Sequence, residues 1–272
     1  MSLAGQTIVI SGGSRGIGRA IALKCAKDKA TVALLAKTAE PHPDLEGTIY
    51  SVAKEIEALG GTAIPLVCDV RDEEQVAACI ENILAKTGRI DALINNASAI
   101  FVAGTAETSI KKFDLMQSVN TRGTYVLSQA CLPHLLKSPA GGTVLTLSPP
   151  VNMAPRWLGM APAYMLSKYG MSLLTLGFAA EFAGTKLRAC CLWPATLIAT
   201  AAIEVNFEKL YKAARDPAIM ADAAHIILTK SDKSFSGKAL IDEDVLSSAG
   251  ITDFTPYEPA EGAAAPDIFL GE

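Results

Sequence analysis

Histidine is scarce in this chain. His42, His134 and His225 are scattered and show no ligand spacing, so no metal site is expected. The six cysteines, Cys25, Cys68, Cys79, Cys131, Cys190 and Cys191, contain no C-x-x-C pair and mostly fall inside apolar runs. That pattern suits buried, reduced thiols in a cytoplasmic protein and not a disulfide framework. Charged residues are only 19% of the chain, and nowhere are lysines and arginines interleaved with aromatics, so nucleic-acid binding is not expected. The longest apolar run, 189–203, is interrupted by Pro194 and is too short to cross a bilayer. The N-terminus runs straight into a strand pattern, so no secretory signal is expected. The final Phe269-Leu270-Gly271-Glu272 is no lipidation or peroxisomal signal. What is present is 272 residues, half of them hydrophobic, with a net charge of -4. Such a chain builds a large core as one α/β domain or two small ones.

The first signal is local. Thr7-Ile8-Val9-Ile10 is a β-branched run that suits a strand buried on both faces. Ser11-Gly12-Gly13-Ser14-Arg15-Gly16-Ile17-Gly18 follows, then a helical pattern over 19–29. Strand, glycine-rich turn and helix in that order form a dinucleotide fingerprint: glycines let the backbone approach a pyrophosphate, and the helix N-terminus offers free N–H groups. A second strand is predicted over 31–36. Enzymes that use NAD place an acidic residue at the end of this strand to hold the ribose 2′-hydroxyl. Here the chain has Ala36 and Lys37. Lys37 and Arg15 either converge on the 2′-phosphate of NADP or are two solvated charges.

The rest alternates. Residues 38–48 read as a loop, 49–59 as a helix and 62–68 as a strand with Asp69 at its carboxyl end, where ligands sit in such sheets. A helix over 73–86 and a strand over 90–94 lead to Asn95-Asn96-Ala97-Ser98, which either lines a crevice or makes an ordinary turn. Two helices are predicted over 109–119 and 120–136, with Asn120 either capping between them or holding a water. A fifth strand over 142–147 ends at Ser148, and Pro149-Pro150 opens a loop to about 162. A helix runs to about 182, and a sixth strand over 187–193 ends at Pro194. Residues 195–216 are partly helical and suit a lid. Its Leu197, Ile198, Ile203, Val205 and Phe207 face an apolar substrate or pack against a helix or a second subunit. A helix over 222–230 and a strand over 238–241 follow, and a tail over about 243–272 runs over the surface or into a subunit contact. Strands alternating with long helices imply right-handed βαβ units, hence one doubly wound α/β domain with a seven-stranded, mostly parallel sheet and its site at the strand carboxyl ends.

Tyr164 and Lys168 are four residues apart on a predicted helix, so they share a face one turn apart. An ammonium beside a phenol favours the phenolate, which predicts a Tyr164 lowered from about 10 into the range useful for proton transfer.

Taken together and in order, the glycine turn, Asp69-Val70, Asn95-Asn96-Ala97, Asn120, Ser148, and Tyr164 with Lys168 resemble the short-chain dehydrogenase/reductase family. Within it, segments such as Val119-Asn120-Thr121-Arg122-Gly123-Thr124-Tyr125, Leu147-Ser148-Pro149-Pro150 and the tail Pro266-Asp267-Ile268-Phe269-Leu270 are similar to the hydroxysteroid dehydrogenase-like protein 2 group. Animal members of that group carry a C-terminal sterol-carrier domain and a peroxisomal signal. This sequence shows neither, so the resemblance implies a stand-alone catalytic domain. It further implies a Rossmann-type fold, a homo-oligomer and an NADP (NADPH) cofactor held by Gly12, Gly13, Ser14, Arg15, Gly16, Ile17 and Gly18. Lys37, Asp69, Val70, Asn96, Tyr164, Lys168 and Pro194 would complete that cofactor site. Tyr164 would exchange a proton with a small-molecule carbonyl or alcohol substrate, Lys168 would lower its pKa, Ser148 would bond the substrate oxygen, and Asn120 would fix a relay water. Three departures stand out: Ser11 for the usual Thr, Ser98 for Gly, and Ala195 for Gly after Pro194. Two other functions compete with this one: an NADP-binding sensor or scaffold without turnover, and an isomerase or dehydratase using the same Tyr and Lys.

Overall fold

A computed structural model describes residues 2–40, 47–259 and 262–271. The strands are β1 (Thr7–Ser11), β2 (Thr31–Ala36), β3 (Thr62–Val67), β4 (Ala92–Asn95), β5 (Thr143–Leu147), β6 (Arg188–Trp193) and β7 (Ala239–Ile241). The first helices are α1 (Gly16–Lys27), α2 (Ile49–Ala58), α3 (Glu73–Thr87), α4 (Ile110–Met116) and α5 (Gly123–Leu135). After β5 come α6 (Pro155–Met160), α7 (Pro162–Glu181), α8 (Ala201–Asn206), α9 (Glu208–Tyr211), α10 (Ala218–Thr229) and α11 (Asp242–Ser248).

All seven strands are parallel, in the order β3-β2-β1-β4-β5-β6-β7. Strand order reverses between β1 and β4, so their carboxyl ends open a crevice there. β1, β4, β5 and β6 are buried along their length, as strands covered on both faces must be. Alternation divides their side chains between two cores. Ile8 and Ile10 join Ile21, Leu34 and Met220 on one face, while Val9 joins Leu35, Ile80 and Phe178 on the other. β3 is an edge strand, which is where its Pro65 can lack a ladder N–H.

Several boundaries differ from the sequence expectations for local reasons. The middle of the loop expected over 38–48, including Pro41, His42 and Pro43, lies outside the described residues. The two helices expected to split at Asn120 are instead continuous, joined by a π-helical stretch, Gln117–Arg122. Asn120 is therefore no cap. The stretch expected to be a loop up to 162 contains α6, started by Pro155 in the first turn, where a missing N–H costs nothing. α10 begins earlier than expected because the Asp216 carboxylate accepts from the Ala218 N–H at 2.7 Å.

The largest difference is beyond β7. The tail does not simply run over the surface. Asp242, Glu243 and Asp244 form the first turn of α11, where acidic residues complement the helix dipole. Asp242 is fully buried. Its Oδ1 accepts from Ala195 N and Glu243 N, both at 2.8 Å, while Oδ2 has no partner. Burial pushes its carboxyl up to about 6. The folded chain thus keeps a proton that the unfolded chain releases from pH 3.8 upward, and stability falls between about pH 4 and 6. Asp242→Asn keeps the acceptor and removes the charge. We expect it to lose that pH dependence and to exceed the parent in stability above pH 6 by on the order of 1 to 3 kcal/mol. Urea midpoints at pH 4 and 7.5 check this, and equal parent–variant differences at the two pH values would refute it.

Candidate functional site

At the crevice between β1 and β4 the chain turns on Gly12 (φ +69°) and Gly16 (φ +53°), a region that side-chain-bearing residues rarely enter. A Cβ on Gly18 would lie 2.4 Å from the Gly12 carbonyl oxygen, and one on Gly12 would lie 2.8 Å from Asn96 Nδ2. Gly13 packs down onto β2, where a Cβ would meet Leu34 Cδ2 at 2.6 Å. α1 starts here with no side-chain cap and no acidic residue in its first turn. Its N–H groups and positive dipole end are thereby left for an anion. Gly12, Ser14, Arg15, Gly16 and Ile17 line a cavity of about 510 Å³, while Gly13 and Gly18 sit behind the turn.

Asn96 ties the turn to the sheet. Its Nδ2 donates to Ser11 O at 3.0 Å and Gly12 O at 2.9 Å, and Ser11 Oγ accepts from the N–H groups of Asn96 and Ala97, both at 3.1 Å. Ser11 therefore keeps the hydroxyl function of the Thr it replaces. Farther along the same cavity, Lys37, Asp69, Val70 and Asn96 line the wall. Asp69 is heavily engaged. Arg71 grips it in a fork (Nε at 2.9 and 3.0 Å, Nη2 at 2.5 Å), and the Lys37 ammonium lies 3.8 Å away. The Arg71 fork, with Lys37 adding, holds the Asp69 carboxyl below the usual range. Arg71 is a cation that the sequence reading did not place here. Arg15 Nη2 donates to Gly47 O at 3.0 Å, and its buried Nε has no partner among the described residues.

At the other end, α7 presents Tyr164 and Lys168, both buried and both lining the cavity. Lys168 Nζ donates to Leu147 O at 2.6 Å and lies 5.1 Å from the centre of the Trp193 ring. Burial lowers Lys168 to about 7, against the opposing pull of Cys191 and Asp267. Tyr164 departs from expectation. Burial, with Asp267 adding, pushes it up instead of down, because desolvating a phenolate outweighs any help from an ammonium turned onto a carbonyl.

Ser148 is fully buried just past β5, with no partner for Oγ, and is not in the cavity wall. Asn120 is not in the wall either. Its Oδ1 accepts from Ala99 N at 2.7 Å, and its Nδ2 donates to Ala99 O and Ser167 Oγ, both at 2.9 Å. The side chain is spent clamping the loop after β4 to α7. Pro194 lines the cavity with Trp193. In the lid, Leu197, Ile198, Ile203 and Phe207 face the cavity, while Val205 is exposed.

Apart from Arg71, the residues that sequence reasoning missed lie in the tail. The chain returns along the segment after β6: Leu197 N donates to Ala265 O at 2.8 Å and Asp267 N to Ala195 O at 3.1 Å, flanking an antiparallel bridge between Thr196 and Pro266. Asp267 and Ile268 enter the cavity wall. Phe269, buried and at φ +69°, inserts among Trp157, Tyr164, Tyr169 and Trp193, with ring centres 5.3–6.2 Å away. Three side chains fasten this strap through its carbonyls. Trp193 Nε1 donates to Ile268 O (3.0 Å), Asn152 Nδ2 to Phe269 O (3.2 Å) and Gly271 O (2.7 Å), and Arg156 Nη2 to Leu270 O (2.7 Å). One signal was available: Ile268-Phe269-Leu270 is an apolar cluster closing a Pro- and Ala-rich stretch, and such a cluster seeks burial.

Among known proteins, hydroxysteroid dehydrogenase-like protein 2 of Danio rerio is 51% identical over 270 residues, covering 98% of this chain. The chain spans 64% of that relative's length. A crystal structure from Xanthomonas campestris is 49% identical with a TM-score of 0.96, covering 100% of both chains. A metagenomic short-chain oxidoreductase solved in complex with NADP is 29% identical with a TM-score of 0.73, covering 89% of this chain and 98% of its own. The family model for short chain dehydrogenases matches residues 6–210. With the glycine turn and the Tyr164–Lys168 pair opening into one cavity on an all-parallel seven-stranded sheet, the chain belongs to the short-chain dehydrogenase/reductase family of oxidoreductases.

Proposed function

We propose that the protein is an NADP(H)-dependent oxidoreductase that interconverts a carbonyl and an alcohol. The observation that carries this reading is a single cavity walled at one end by an uncapped helix N-terminus and glycine turn, and at the other by Tyr164 and Lys168. The residues fit a dinucleotide: Gly12 and Gly16 allow close backbone approach, and α1 offers its free N–H groups. A bound nicotinamide would supply or accept the hydride. Tyr164, kept protonated by its burial, donates its proton to the carbonyl oxygen during reduction and takes it back in the reverse direction. Lys168, close to neutrality, contributes a titratable cation beside it. Ser148 sits buried behind the cavity wall beside the Cys191 thiol, so its hydroxyl would reach the substrate oxygen only where that wall yields. Asn120 acts by holding α7 in place.

Preference for NADP rests on Ala36 and Lys37 at the end of β2 and on Arg15, which lines the same cavity, with Asp69 already engaged by Arg71 and Lys37. Each charged contact to a 2′-phosphate adds about 1.5 to 3 kcal/mol. Lys37→Ala should therefore weaken NADPH at least tenfold, with a much smaller effect on NADH, as read by nucleotide fluorescence titration. Tighter NADH than NADPH binding in the parent would overturn this assignment. The apolar lid suits an apolar, lipid-like alcohol or ketone. A broad carbonyl and alcohol panel tests turnover, and tight NADPH binding without turnover on any member would favour the sensor. Exposed Leu166 and Leu173 on α7 and Tyr125 on α5 support a homo-oligomer, to be checked by light scattering. The six free, buried thiols suit a reducing cytoplasm.

A further inference from the structure

We infer that Asp267 is a positioning residue of the proton-transfer site: the strap carries its carboxyl into the cavity wall shared by Tyr164 and Lys168, where it governs when they carry charge. This deepens the reading of the same site and rests on Tyr164 and Lys168 being its working groups.

Placement comes first. Backbone bonds to Ala195 and Leu197 set the strap, and the buried Phe269 ring, side by side with Tyr164, pins it two residues farther on. Asp267 is itself held by the first anchor, through its N–H to Ala195 O, and lies two residues before the second. Its side chain makes one hydrogen bond, accepting from the adjacent Ile268 N–H at 2.7 Å, and is otherwise left to the cavity. Asp69 and Asp267 are the carboxylates in the cavity wall, and Asp69 is at the far end, gripped by Arg71. Asp267 is thus the acid of the proton-transfer end. No fold requirement accounts for a carboxyl there, since Ile268 and Phe269 do the packing.

The charges around it are Lys168 and Tyr164 from α7, Asp242 from the start of α11, and Cys191 of β6 facing Lys168. Arg215 and Glu243 stand behind Asp242. Burial pushes Asp267 up to about 8, with Asp242 adding and Lys168 opposing. Asp267 and Lys168 share this wall, so the charge of each bears on the titration of the other. An anionic Asp267 supports the Lys168 ammonium and disfavours the Tyr164 phenolate. Removing it moves both titrations to lower pH.

The test uses the full chain without nucleotide. Lysines and aspartates are labelled with ¹³C, and the Lys168 Cε shift is followed against pH, assigned through Lys168→Arg. In Asp267→Asn the Lys168 midpoint is expected to fall by about one pH unit. Unchanged tryptophan fluorescence from Trp157 and Trp193 shows that the strap is still docked. Asp267→Glu should restore most of the parental midpoint. A Lys168 midpoint that does not move in a docked Asp267→Asn variant overturns the inference. If that variant does not fold, the parent decides: shared two-step curves for Asp267 Cγ and Lys168 Cε support the inference, and independent single-step curves overturn it. Once a substrate is found, the pH–rate profile of Asp267→Asn should shift to lower pH, whereas a purely structural defect would lower it at every pH. A shifted Lys168 titration without turnover on any substrate would refute the oxidoreductase reading and leave this inference standing. Turnover with an unmoved midpoint would do the reverse.

Discussion

Tyr164→Phe is expected to lower kcat about 10² to 10⁴-fold, the range lost when a positioned proton donor is removed. The phenyl ring keeps the volume that packs against Phe269 and so preserves the aromatic cluster around it. NADPH affinity should fall by no more than about fivefold, the worth of one neutral hydrogen bond. The loss therefore belongs in kcat and not in binding. Because burial keeps the phenol protonated, the proposed donor stays loaded across the neutral range. Steady-state kinetics and nucleotide titration on both proteins check this. A variant retaining more than a tenth of parental kcat would remove Tyr164 from the chemistry.

Phe269→Ala should have the second largest effect, and mostly on the site. Deleting a fully buried Phe typically costs about 3 to 5 kcal/mol, and a left-handed non-glycine residue already carries about 1 to 3 kcal/mol of strain. The strap lies on a sheet whose two cores do not depend on it, since Phe269 belongs to a separate cluster with Tyr164, Tyr169 and Trp193. The expected outcome is local undocking, not global unfolding. Residues 262–271 should become protease-sensitive, tryptophan emission should shift to the red, and turnover should fall at least tenfold, while the main thermal transition moves little. A variant with intact emission and full activity would show that the strap does not support the site.

Much of this was legible because it depends on local chemistry. β-branched runs, a glycine turn and alternating helices determine a doubly wound sheet, and the structure brings Asn96, Tyr164 and Lys168 to one cavity while leaving Asn120 and Ser148 behind its wall. What escaped depended on burial and on long-range return. Tyr164 and Lys168 are one turn apart on α7, but nothing in that spacing says that the ammonium turns onto Leu147 or that desolvation dominates the phenol. The strap's partners in α7 lie about a hundred residues upstream, and only an unexplained apolar cluster hinted at them. Asn120 read as a cap or a water holder because its partners, Ala99 and Ser167, belong to other elements.

The strap also imposes an order of events. Contacts closed over long sequence separations form late and slowly, and synthesis proceeds from the N-terminal side. Every strand and the Tyr164–Lys168 helix emerge from the ribosome before Phe269, so the sheet can collapse and its dinucleotide crevice can take shape first. A nascent chain at that stage would be equipped to capture the nucleotide but still lack the wall bearing Asp267. Until residues 262–271 have been made and have docked, the cavity stands open on the side that Asp267 and Ile268 wall.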